Sequence, residues 1–147
     1  MAYLDVQDLS DELGENTLVQ LTDDEGTGEL NEARVLKAIE YASGTFDSYA
    51  RSRYNLPVPT TSLVKSLNLD LAVFHLYKSR SSIAEGIYTV KKNAHDEAMK
   101  VLKDISCGKA ALDVPAAEET VDNPANSDKI LTNAGSNRLT DDALRGF

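Results

Sequence analysis

The residues whose types and spacing come nearest to chemistry form one acidic run, Asp23-Asp-Glu-Gly-Thr-Gly-Glu-Leu-Asn-Glu-Ala-Arg34. Oxygen ligands at alternate positions around a tight glycine turn are how a short loop wraps a calcium ion. With Gly28 at the sixth position of such a loop, Asp23, Glu25, Thr27 and Asn31 fall at ligand positions. The twelfth position must bring a bidentate glutamate, and here it is Arg34. A cation there repels the ion that the carboxylates attract. The preferred reading is therefore an acidic turn that leads into a helix cap, with no metal and no other cofactor. Asp23, Glu25, Thr27 and Asn31 remain the candidate ligands of a degenerate site.

The remaining reactive side chains do not form a catalytic pattern. A thiol nucleophile needs a base within hydrogen-bond range and a third group to orient that base. Cys107 has only His75 and His95 to choose from. His75 lies inside an apolar helical stretch and reads as a packed core histidine. His95 lies beside Lys91, Lys92 and Asp96 and reads as part of a solvated face. One cysteine and two histidines also fall short of a zinc site, and a single cysteine forms no intrachain disulfide. Gly26-Thr-Gly28 precedes a helix but lacks the Gly-Lys-Ser/Thr ending of a phosphate-binding loop. Tyr41, Tyr49, Tyr54, Tyr77 and Tyr88 are spread over three helices without a shared basic groove, so they suit packing rather than base stacking. No enzyme activity is expected.

Charge narrows the partners further. Residues 1–30 carry nine acids and no Lys or Arg, residues 31–112 a net +4, and residues 113–147 a net −4, which together give the net −9 of the 147-residue chain. The acidity sits at the two ends and the middle is mildly basic. That distribution argues against wrapping nucleic acid, which needs a concentrated basic face. It does let copies meet acid to base. The opening Met-Ala-Tyr-Leu-Asp lacks the basic stretch of a secretory signal. No stretch approaches the ~20 apolar residues of a membrane span. The apolar share of 41% is enough for one core.

Helical periodicity supplies the elements. Asp5 caps a helix to Leu13, with Val6, Leu9 and Leu13 on one face and Gly14 as its stop. A short helix over 15–21 follows, then the acidic loop over 22–30, with Asn31 as the next cap. Over 32–54, Val35, Ala38, Ile39, Ala42, Phe46, Tyr49 and Ala50 mark a buried stripe. Gly44 inside it costs up to ~1 kcal/mol relative to Ala and suits a close helix crossing. Asn55-Leu-Pro-Val-Pro59 ends that helix. Over 61–79, Leu63, Val64, Leu67, Leu71, Phe74 and Leu76 cover most of the circumference, so this is the central helix. The last helix, 82–106, carries Ile87, Val90, Ala94, Ala98, Val101, Leu102 and Ile105 as its stripe and ends at Gly108. The fold class is all-α: a small bundle of about four main helices with an extended C-terminal arm. Its domain spans 1–112. A polar linker covers 113–136, with Pro115 and Pro124 and too little apolar surface to order itself. A docking peptide covers 137–147, where Leu139, Leu144, Arg145 and Phe147 can engage a partner.

Several blocks resemble one family. They are Met1-Ala-Tyr-Leu4, Glu12-Leu-Gly-Glu15, Leu18-Val-Gln-Leu-Thr-Asp23 with its acidic loop, Asp47-Ser-Tyr49, Arg53-Tyr-Asn-Leu-Pro57 and Val101-Leu-Lys-Asp-Ile-Ser-Cys-Gly-Lys109. Their order and spacing over about residues 1–112 are similar to the neck proteins of Mu-like phages and prophages. The closing Leu144-Arg-Gly-Phe147 looks like a terminus of that family. Many members carry a fuller Asp-x-Asp-Gly-Asp-Gly loop, from which this chain departs at Glu25 and Thr27. The resemblance implies a structural virion protein: a head–tail connector, or head-completion adaptor, that forms a ring beneath the portal and joins head to tail. It implies assembly in the host bacterial cytoplasm and residence in the virion neck. The implied partners are further copies of itself in a ring matching the portal (a dodecamer), the portal protein, and the next neck or tail-terminator protein. No membrane is implied, and packaged DNA passes nearby without specific binding. Asp23, Asp24, Glu25 and Glu29 then face the lumen or a neighbour's basic surface. The alternative is a monomeric regulatory or calcium-binding helical module that uses the loop 23–34.

Overall fold

Asp5 starts the fold as the sequence predicts. In a computed structural model that describes residues 2–80 and 83–117, its carboxylate accepts the Asp8 amide at 2.9 Å while the Asp8 carboxylate accepts the Asp5 amide at 3.0 Å. This reciprocal capping box opens α1, Val6–Leu13. Gly14, at φ +79, both ends α1 and begins α2, Glu15–Thr22. Its N–H returns to the Ser10 carbonyl, and its own carbonyl accepts the Leu18 amide. After the acidic loop come α3, Glu32–Ala50; α4, Ser62–Lys78; and α5, Glu85–Ser106. All regular structure among the described residues is helical, and the described residues belong to one compact unit, Met1–Ala117.

Helix α3 stops four residues earlier than the expected 54. The Arg53 and Tyr54 amides both return to the Ala50 carbonyl, so the chain tightens into a turn before the prolines are reached. Helix α4 is central, as its apolar circumference requires: it packs on α3 and α5 and also meets α1 and α2. Val64, Leu71 and Ala72 are fully buried along it, but Leu63, expected inside, is exposed.

The stripe of α5 needs a correction. Ala98, Leu102 and Ile105 are buried, but Ile87 is 51% exposed and Val90 64%. The face turned to the bundle there carries Tyr88 and Lys91 instead: the Tyr88 ring lies 5.8 Å from that of Phe74, and the Lys91 ammonium 5.9 Å from the Tyr77 ring, which leaves Ile87 and Val90 outside. At the other end, Gly108 at φ +77 turns the chain, and the amides of Lys109 and Ala110 both cap the Asp104 carbonyl. The chain stays on the core after that turn. Leu112 is buried with its amide on the Tyr54 hydroxyl at 2.8 Å, and the Ala117 amide reaches the Arg53 carbonyl.

Two aromatic contacts lie where periodicity could not reach. Tyr3, ahead of the first helix, is buried edge-on to Phe46 with ring centres 5.0 Å apart. Its hydroxyl donates to Asp47 at 2.6 Å. Burial, and then the Asp47 carboxylate, push that hydroxyl's pKa up to about 12, so it remains a donor. His95, expected on a wet face, instead packs on Phe74 with ring centres 4.3 Å apart and a side chain only 15% exposed.

Candidate functional site

The most strongly organised surface is the acidic loop between α2 and α3. Gly26 and Gly28 both take positive φ, which reverses the chain so that its amides point back at Asp23. The Asp23 carboxylate accepts the Gly28 amide at 2.7 Å and the Thr27 amide at 3.0 Å, and the Thr27 hydroxyl lies at 3.3 Å. The Gly28 amide is the main cause that holds the Asp23 carboxyl below the usual carboxylate range; the Thr27 and Gly26 amides add to it. Thr22 closes the loop's neck: its hydroxyl donates to the Leu18 carbonyl and accepts the Asn31 amide. Asn31 then caps α3 by accepting the Arg34 amide.

Two arginines hold the loop from outside. Arg34 pairs with Asp24. Arg80, just beyond the C-terminus of α4, pairs with the same carboxylate at 2.9 Å and donates to the backbone carbonyls of Gln20 and Asp23. The α4 end, the α2 end and the loop are thereby tied at one point. An open hollow of about 400 Å³ lies over the loop, lined by Asp23, Asp24, Glu25, Glu29 and Glu32 among others.

Each candidate calcium ligand thus has a place. Asp23 is folded onto its own loop amides, the Thr27 hydroxyl turns to Asp23, Asn31 serves as a cap, and Glu25 is exposed. Arg34, at the twelfth position, brings positive charge to Asp24 instead of a carboxylate to a metal. Among the described residues no group of three His, Cys, Asp or Glu side chains is gathered for a metal ion.

The other reactive residues are dispersed. Cys107 is exposed at the C-cap of α5. His95 is twelve residues before it on the same helix, roughly 18 Å away. His75 stacks on Tyr41 near the far end of α4, with ring centres 4.4 Å apart. Burial, with Lys78 nearby, lowers its pKa. Among the described residues no helix is long and apolar enough to cross a membrane. The expected docking residues Leu139, Leu144, Arg145 and Phe147, and the linker from 118 onward, lie outside the described residues.

The helices, the loop and the stretch that follows them all fall within one sequence family. A family model described as "Bacteriophage Mu, Gp36" matches residues 3–130. The chain belongs to this family. A member of similar length, the "Mu-like prophage FluMu protein gp36" of Haemophilus influenzae, is 29% identical over 108 residues, covering 73% of this chain and 71% of the relative. The Gp36 match begins at Tyr3, the residue that locks the N-terminus onto α3. It includes both ends of the Arg80–Asp24 pair. No motif in the sequence marks Arg80. Its only signal is a cation directly after a helix end, on a chain whose first 30 residues carry no cation of their own. Membership makes this a Mu-like phage protein with an all-helical core.

Proposed function

We propose that this chain is a structural connector of the virion neck, joining head to tail as a ring beneath the portal. The observation that carries the reading is the anionic loop, tied by hydrogen bonds and ion pairs at one end of a helical core in a protein of the Mu Gp36 family. A lumen lined by fixed carboxylates repels the phosphate backbone, so packaged DNA slides past without sticking. Pinning by Arg34 and Arg80 keeps the loop's shape under that repulsion. The chain acts with further copies of itself in a portal-matched dodecamer, with the portal protein, and with the next neck or tail-terminator protein. It assembles in the host bacterial cytoplasm. Of the expected linker 113–136, residues 113–117 are held on the core and the rest serves as the linker, while 137–147 dock through Leu139, Leu144, Arg145 and Phe147. Many weak tails around a ring make a firm joint by avidity.

The test is genetic and visual. Phage lacking the chain should yield filled or leaking heads and separate tails, and the wild-type protein should restore joined particles with a ring at the neck. Tailed, infectious particles at the normal rate without the chain would refute the connector role. Neutralising Asp23, Asp24, Glu25 and Glu29 together to amides should alter ring formation or DNA retention. Deleting 137–147 should leave the helical core intact and reduce head–tail joining.

A further inference from the structure

Helix α3 carries a glycine that its own chain does not explain. Gly44 sits in the middle of the helix, where glycine weakens the structure relative to alanine. No atom of the described chain beyond its neighbours lies within 4 Å of where a side chain would start. The close crossing that the sequence suggests at Gly44 is therefore not made by another helix of the same described unit. Around it is an open, mainly apolar hollow of about 260 Å³, with Leu36, Ile39 and Gly44 on its walls and Glu40 and Asp47 at its rim. Leu36 is 54% exposed there.

The first turns of α5 have the opposite shape and charge. Ile87 and Val90, one turn apart, stand out where the bundle fails to cover them. Lys91, four residues after Ile87 and so on the same face, borders them. Lys91 makes this edge positive, and with Lys37 included the α3 hollow is net negative. The two surfaces share no residue. A contact between unlike surfaces is heterologous, so it passes from copy to copy, and it closes as a ring when the rotation between copies closes.

We infer that the Ile87–Val90 edge of α5 in one copy seats in the Gly44 hollow of α3 in the next. The inference rests on the ring reading above and names the faces that make the ring. Val90 and Ile87 lose their exposure to water against Leu36 and Ile39, and Lys91 meets Glu40 and Asp47. Gly44 is where the approaching helix comes closest, which is why a side chain is absent there.

Cysteine pairing tests it on the full-length chain. In a Cys107→Ser background, Leu36→Cys with Val90→Cys should give a ladder of covalent multimers on oxidation or with a short bismaleimide. Each single variant alone should give no ladder, and an equal mixture of the two should stop at dimers. Gly44→Leu has open space to fill in the monomer, so its helicity and melting should match or exceed the wild type while ring yield by electron microscopy falls at least tenfold. Wild-type rings without the ladder, or Gly44→Leu rings at the wild-type yield, would overturn the inference and leave the connector reading standing. Failure of the wild-type chain to form rings either in solution or on particles would remove both.

Discussion

Arg80 and Asp24, 56 residues apart, are joined by an ion pair of 2.9 Å that fastens the acidic loop to the end of α4. The guanidinium also serves the Gln20 and Asp23 carbonyls, so one side chain satisfies acceptors from the last turn of α2 and from the loop. Its planar fork makes that division possible; an ammonium group on a flexible stem cannot span the same acceptors.

Arg80→Ala should loosen the loop first and the fold second. The pair is partly solvent-screened, with Asp24 44% exposed, so the global loss is about 1–2 kcal/mol, mostly from the backbone acceptors. Amide exchange at Thr27 and Gly28 should speed up more than exchange in α4. Arg80→Lys should recover only part of the effect. Unchanged exchange in the loop would mean that Arg34 alone holds it.

Two leucines of one helix separate burial from periodicity. Leu71 is fully buried and Leu63 is 38% exposed. Leu71→Ala should lower stability by about 2–5 kcal/mol, because a cavity opens at the centre of the bundle. Leu63→Ala should change it by less than about 1 kcal/mol. Chemical denaturation of the two variants side by side measures the contrast, and equal losses would contradict the packing of α4.

That contrast shows what the sequence could and could not tell. Caps and stops were legible because their chemistry is local: Asp5, Asn31, Gly14 and Gly108 act within a few residues of themselves. The family blocks were legible for the same reason, as short runs in a fixed order. Leu63, Ile87 and Val90 fit an apolar stripe as well as Leu71 does, and only the face each helix turns to its neighbours decides which of them gets covered. Tyr3–Asp47, Tyr54–Leu112 and Arg80–Asp24 join residues more than forty positions apart. No period encodes such pairs. The acidic loop is legible in the sequence, but its clamp, Arg80, lies 56 residues away, just past the end of α4.

Calcium should not bind the loop specifically at micromolar concentration. A carboxylate that already accepts the Gly28 and Thr27 amides must give them up to take an ion, and Arg34 and Arg80 bring two positive charges to Asp24. Sensor-type loops reach dissociation constants of about 10⁻⁷–10⁻⁵ M with the twelfth-position glutamate that is missing here. Calorimetry on the full chain should show only weak, salt-sensitive heats. A one-site isotherm in that range would promote a regulatory role for the loop. Arg34→Glu offers the complementary measurement, since it restores the missing ligand type and should raise whatever calcium affinity exists.

Asp70, on α4, should make the protein less stable as pH rises through its titration. Burial is the main cause that raises its pKa; Glu12 and Glu97 add repulsion, while Lys91 and His95 partly oppose it. Below its ordinary value of 3.8, the carboxyl is neutral in both the folded and the unfolded chain, and its favourable contribution is fully present. As pH climbs, the unfolded chain releases this proton first, so ionisation pulls the equilibrium toward unfolding until the folded value is passed. Asp70→Asn keeps the shape and removes the charge. At about pH 7 the variant should therefore melt above the wild type, and the gap should close as pH falls toward about 3. Asp8 responds in the opposite sense, because the Lys65 partner at 2.6 Å lowers its pKa, but it is present in both proteins and cancels from their difference. Melting curves of the pair across that range give the answer. A gap that stays constant with pH, or an Asn variant that melts below the wild type at neutral pH, would show that the Asp70 charge is well accommodated between α1 and α5.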